Sequence, residues 1–222
     1  MRFWPYYVFF AFAAYLLEHP ILLLGVLGVL LLRPMLPDPW VLMRTFGRVR
    51  SLRSQIEANP ANVTARRDLA RLYLERGRPR AASQLLELAL RRDPQNAELL
   101  YLLGAARHRS GRDEEAIEPL VHAVEIDPRV SFGEAFLVAG DALSALGRHE
   151  AAVDAYERYV DANSSSIRGW TKLAHAHRRH GEPVAAQKAL REARRTWRQI
   201  PAYRRRQELL WFLGANLSRL WI

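Results

Sequence analysis

Three histidines within six residues, His175, His177 and His180, form the densest set of metal-ligating side chains in this sequence. Ligands carried on one helix must sit three or four residues apart to share a face. Intervals of two and five from His175 scatter the imidazoles, so no metal site is expected there. The chain has no cysteine, which removes thiol nucleophiles, disulfides and thiolate metal sites. No glycine-rich phosphate loop and no Gly-x-Ser-x-Gly nucleophile turn occurs. Glu114 and Glu115 fit the first turn of a helix, where the dipole favours acids. Asn62-Val63-Thr64 and Asn216-Leu217-Ser218 match the glycosylation acceptor pattern, which a cytoplasmic domain would not use. The expectation is a protein that is not an enzyme, with no cofactor, no metal and no small-molecule substrate.

What the residue types do offer is positive charge. Over 222 residues the net charge is +10, and only Lys172 and Lys188 are lysine, so the cations are almost all arginine. Such an excess suits acidic protein segments, anionic lipid or nucleic acid, although an arginine-rich proteome would look similar. No nucleic-acid reader motif accompanies it, so nucleic acid is not an expected partner.

The elements that must position these charges announce themselves by repetition. Pro60, Pro94 and Pro128 are spaced 34 residues apart, and Gly77 and Gly111, Ala82 and Ala116, and Ala89 and Ala123 keep that interval. A fixed period of this length marks an array of one supersecondary unit. Each unit reads as two helices. Leu69, Leu72 and Tyr73 give the first its apolar face, and Gly77 ends it. Ala82, Leu86 and Ala89 give the second a face of small residues around one large one, and Asp-Pro or Asn-Pro closes the pair. No such pair buries its apolar face alone, so the pairs must stack.

This pattern resembles the tetratricopeptide repeat. The first unit carries it through Leu69, Ala70, Tyr73, Gly77, Ala82, Leu86, Ala89 and Pro94, and the second through Leu100, Leu103, Gly104, Gly111, Ala116, Leu120, Ala123 and Pro128. The third begins two residues late, after Ser131 and Phe132, and keeps Phe136, Ala139, Gly140, Leu143, Gly147, Ala152 and Tyr156. The fourth keeps Trp170, Leu173, Ala174, His177, Gly181, Ala186, Leu190 and Ala193; both lack the closing proline. The resemblance implies an all-α solenoid of about four helix-turn-helix units, at 63–96, 97–130, 133–166 and 167–200, within a repeat region spanning 61–200. It also implies a concave groove lined by the first helix of each pair. By that register the groove residues are Arg67, Arg71, Tyr101, His108, Arg109, Asp141, Lys172, His175, Arg178 and Arg179, most of them basic. Some members of the family clamp a terminal carboxylate with lysine and asparagine. The corresponding positions here hold Arg67, Arg71, Leu102 and Glu134, so that clamp is not reproduced.

Residues 3 to 32 are apolar apart from Glu18, His19, Pro5 and Pro20. A straight span needs about 20 apolar residues, and each of the two runs falls short alone. One kinked span and a hairpin turning at Glu18-His19-Pro20 both remain open. A cleaved signal peptide and a buried soluble hairpin fit less well. The hairpin is preferred, because it puts Glu18 near the interface rather than at the bilayer centre. Arg33, Arg44, Arg48, Arg50 and Arg53 follow the apolar block, which places the repeats on the cytoplasmic side of an inner membrane.

Residues 34–60 form a proline-rich connector and then one helix, with Leu42, Phe46, Val49, Leu52 and Ile56 on its apolar face. A basic helix on lipid and a cap on the first repeat are the two readings, and the proline spacing favours the cap. Residues 201–222 read as a closing helix on the fourth unit, where plain packing is the expected role of Trp211, Trp221 and Ile222, with a membrane or partner contact as the alternative. The whole is then a membrane-anchored scaffold, residues 1–33 in the bilayer, holding an acidic segment of a partner protein in its groove. The alternative is a structural or assembly subunit of a larger membrane complex.

Overall fold

The computed structural model describes Tyr15, Glu18, His19 and residues 39–218. It divides into two units, Met1–Gly47 and Arg48–Ile222, with the boundary inside a helix. The expected membrane segment, residues 1–33, lies outside the described residues apart from those three. Among the described residues no helix is long and apolar enough to cross a membrane.

Ten α-helices run through residues 39–218. α1 covers Pro39–Ala58. Four pairs follow: α2 (Val63–Glu75) with α3 (Pro79–Leu90), α4 (Ala97–Arg109) with α5 (Asp113–Ile126), α6 (Glu134–Ala145) with α7 (His149–Ala162), and α8 (Ile167–His180) with α9 (Pro183–Gln199). α10, Ala202–Ser218, follows the fourth pair and packs on α8 and α9. Asn62, Asn96 and Ser166 start α2, α4 and α8 by accepting a hydrogen bond from the backbone N–H three residues on, which satisfies one of the unpaired donors of a helix start. Gly181 ends α8 in the left-handed conformation, φ 90°, and the Glu182 N–H reaches back to the His177 carbonyl.

The core is built on the repeating small residues. Ala82, Ala89, Ala116, Ala123, Ala152, Ala186 and Ala193 are fully buried. Each lets a neighbouring helix approach, and Leu86, Leu120, Tyr156 and Leu190 fill the space beside them. α1 enters this core only with its C-terminal half: Val49 and Leu52 are buried in one cluster with Leu69, Leu72 and Tyr73, and Ile56 packs against it. Phe46 departs from the apolar face read from the sequence. It is 66% exposed, as are Trp40 and Met43 to a similar degree.

The two extra residues before the third pair do lengthen the turn, in an unusual way. Val130–Gly133 forms one 3-10 turn, and within it Ser131 and Phe132 both take left-handed backbone angles, φ 50° and 58°. Neither is glycine, so this conformation is held by its surroundings. The Asn163 side chain donates to the Phe132 carbonyl, and the Phe132 ring stands 87% exposed.

Candidate functional site: the inner face of the helix array

The first helices of consecutive pairs approach one another, α2 to α4 and α4 to α6, while the second helices lie on the outside. Side chains of α2, α4, α6 and α8 therefore share the inner face. Many of the charges expected to line a groove have partners within the chain.

Arg67 pairs with Asp68 at 2.9 Å and with Glu98 at 3.1 Å, and Arg71 meets the other oxygen of Glu98. Arg168 pairs with Glu134, and Lys172 donates to Asp141 at 2.6 Å. All of these except Arg67–Asp68 link one repeat to the next across the inner face. His108 is turned toward Asp113 at the start of α5, 2.5 Å away, and so serves the corner of its own pair. Arg179 donates to the Ser144 hydroxyl at 3.1 Å. Arg109 and Arg178 are exposed and meet no carboxylate among the described residues. His175 is exposed on α8, and its pKa is lowered from the ordinary histidine value, by partial burial first and then by Arg179, Arg178 and Lys172. The three cations add to an effect that burial dominates.

Tyr101 sits at the middle of the array. Burial pushes its phenol above the ordinary tyrosine range and the nearby Glu134 adds to this, while Arg109, Arg168 and Arg71 oppose them. Arg71, Arg109 and Arg168, from three different repeats, thus all act electrostatically on this one partly buried phenol. A cleft of about 530 Å³ opens beside this cluster, lined by Arg71, Asn96, Glu98, Asp127, Val130 and Phe132.

The C-terminal half of the face is more tightly bound. The Tyr156 hydroxyl donates to Asp141 at 2.7 Å, beside the Lys172 ammonium on the same oxygen. Lys172 also lies over the Trp211 ring at 5.3 Å, and the backbone N–H of Arg168 donates to Glu208 at 3.2 Å. Both Trp211 and Glu208 come from α10. Burial first, then Asp141, raises the Tyr156 pKa far above the usual value near 10. The folded chain keeps this proton at a pH where the unfolded chain loses it. The associated stability is complete below about pH 10 and falls as pH rises further. Urea unfolding at a series of alkaline pH values should therefore show declining stability above about pH 10, and Tyr156→Phe should make the decline shallower.

The three histidines do not form one site. His177 is 7% exposed, with Nδ1 2.7 Å from Glu182 and Nε2 3.7 Å from Glu157, whereas His175 and His180 are exposed. Sequence reasoning missed Glu98 and Arg168 and named Glu134 only as a departure from the carboxylate clamp; the three hold the second position of the second, fourth and third units respectively. Carrying the same repeat register to that position would have found them. It would not have found Trp211 and Glu208, which lie outside the repeats.

Comparison with known proteins supports the architecture. Sequence families described as tetratricopeptide repeat match residues 67–131 and 133–166. No curated protein sequence matches. Among solved structures, the crystal structure of MamA is similar over 70% of this chain and 92% of its own, with 25% identity and a TM-score of 0.65. A fragment of MamA from Desulfovibrio magneticus RS-1 is similar in fold, at 22% identity over 60% of this chain and 75% of its own, TM-score 0.55. YrrB, described as a TPR protein with an unusual peptide-binding site, shares the fold at 18% identity over 70% of this chain and 81% of its own, TM-score 0.59.

Proposed function

This chain is a tetratricopeptide-repeat protein, and on that premise we propose that it is a scaffold holding an acidic segment of a partner protein against its inner face at the cytoplasmic surface of an inner membrane. Repeats of this kind are protein-interaction modules that take up peptides or whole proteins. The observation that carries the finer reading is a set of guanidinium groups on this face, of which Arg109 and Arg178 stand exposed with no carboxylate partner among the described residues, near the partly buried Tyr101. A guanidinium can meet a carboxylate with two parallel hydrogen bonds and can also lie on an aromatic face, so this cluster suits an acidic segment with an extended backbone. Arg109 and Arg178 are the cations best placed to receive it, since Arg67, Arg71 and Lys172 first have to leave Glu98 and Asp141. Individual exposed pairs contribute about 0–1 kcal/mol, so several contacts must act together and binding should weaken with salt. The apolar run of residues 3–32 supplies the tether in this reading.

One experiment tests both parts. Membranes bearing the full chain are washed with carbonate, solubilised, and used to capture partners with and without Arg109→Glu and Arg178→Glu. Arg71 is left alone, because a glutamate there would stand against Glu98 and disturb the fold. The expected result is a chain that survives the wash, and a partner set that the double substitution depletes several-fold while helical circular dichroism is unchanged. Release by carbonate overturns the tether, and undiminished capture overturns the inner face as the binding surface.

A further inference from the structure

α10 has two sides of unlike character. α10 buries one side properly: Phe212 stacks on Trp197 at 4.2 Å, and Ala215 is fully buried. Its opposite side presents Tyr203 (72% exposed), Leu210 (80%), Leu213 (48%) and Leu217 (63%). Intervals of seven, three and four residues put these on one stripe. Arg206 falls on the same stripe, with no carboxylate partner among the described residues. Arg204 donates only to the Ser165 hydroxyl, and Arg205 only to backbone carbonyls, with its guanidinium 5.9 Å from the Trp197 ring centre. The one acid of the helix, Glu208, is turned inward to the Arg168 N–H.

We propose that α10 lies on an anionic lipid bilayer, with Leu210, Leu213 and Leu217 in the acyl boundary and Arg204, Arg205 and Arg206 at the headgroups. Charge decides between occupants. A second copy of the same helix brings three more arginines and no available carboxylate, so it leaves every cation unmatched. A bilayer with anionic headgroups supplies both things the face lacks, an apolar layer for the leucines and a plane of phosphates for the guanidinium groups. Tyr203, amphipathic and at the arginine end, suits the interface between the two. The inference concerns residues 202–218 and does not rest on the tether proposed for residues 3–32.

The absence of cysteine makes the test direct, since one introduced cysteine carries the only label. Leu213→Cys and Leu217→Cys, each in the full chain, receive a nitroxide; Gln84→Cys on α3, exposed and far along the array, is the reference. The chains are reconstituted with phosphatidylcholine vesicles with or without phosphatidylglycerol. Expected is a several-fold rise in the ratio of oxygen to nickel-chelate accessibility at 213 and 217, in the phosphatidylglycerol vesicles and not at 84. Combining Leu217→Cys with Arg204→Glu and Arg206→Glu should abolish that rise. Water-like accessibility at 213 and 217 on chains that float with the vesicles overturns the proposal. So does spin–spin broadening between labelled copies, which would put a second chain on this face. Failure to float counts against the residue 3–32 tether alone, because vesicles added to the soluble chain still report on α10 through the same labels.

Discussion

Alanine at Gly140 is expected to lower the melting temperature of the repeat array by roughly 2–12 °C, whereas alanine at Gly214 should leave it unchanged or raise it. Both glycines lie inside helices, where glycine is ordinarily the weaker choice by about 1 kcal/mol. Their surroundings reverse the sign at one of them. A Cβ on Gly140 would stand 2.6 to 2.9 Å from three ring atoms of Tyr156, whereas a Cβ on Gly214 meets nothing within 4 Å. The Tyr156 ring cannot swing clear, because it is 3% exposed and its hydroxyl is held by Asp141. Overpacking of this kind typically costs 1–3 kcal/mol, well beyond the gain in helix propensity. Differential scanning calorimetry on the three chains decides it. Equal melting temperatures for Gly140→Ala and the parent would mean that α6 and α7 do not pack as described.

The same contact shows what could be read in the sequence and what could not. Gly104 and Gly140 were visible as repeat positions, and so were Leu120 and Tyr156. The interval that joins them is local, because each pair of helices is a hairpin whose packing is written within 34 residues. The fold is legible for that reason: every contact the repeat needs lies within its own unit or the next. Phe46 shows the limit of that logic. Its spacing matched Val49 and Leu52, but a helical period says which residues share a face and not how far along the helix the core extends. Charge was harder still. The register found Arg67, Arg71 and Lys172 and placed them on the inner face. It placed Asp141 there too, but it did not show that Asp141 pairs with Lys172 or that Glu98 stands opposite the two arginines, because a salt bridge depends on distances of a few ångströms between neighbouring repeats. A face that reads as strongly basic in sequence is thus largely a face of paired charges, on which Arg109, Arg178 and Arg179 are exposed with no carboxylate partner among the described residues.

Asp141→Ala should destabilise the repeats by about 1.5–3 kcal/mol, the range for hydrogen bonds that involve a charged group. Asp141 is the shared acceptor of the Tyr156 hydroxyl and the Lys172 ammonium, and both it and Lys172 are only 22% exposed at the side chain. Removing it strips both donors at once. The phenol loses its partner inside the pair, and the ammonium is left between Trp211 and water. Removing the donors instead should cost less: Tyr156→Phe loses one hydrogen bond, about 1 kcal/mol, and leaves Asp141 bonded to Lys172. The three side chains touch, so their effects should not add. Once Asp141 is alanine, Tyr156→Phe should cost almost nothing further, and the difference between its two costs measures the coupling, about 0.5–3 kcal/mol for groups in contact. Urea denaturation of the parent, the two single variants and the double variant closes this cycle. If the two costs simply add, the network does not hold α6, α7 and α8 together. If they couple as expected, Asp141 also restrains the inner face: with it gone, Lys172 becomes free to meet a carboxylate from outside. The Asp141→Ala chain should then capture an acidic partner better than the parent while being less stable. A purely structural role for Asp141 would give the loss of stability without the gain in capture.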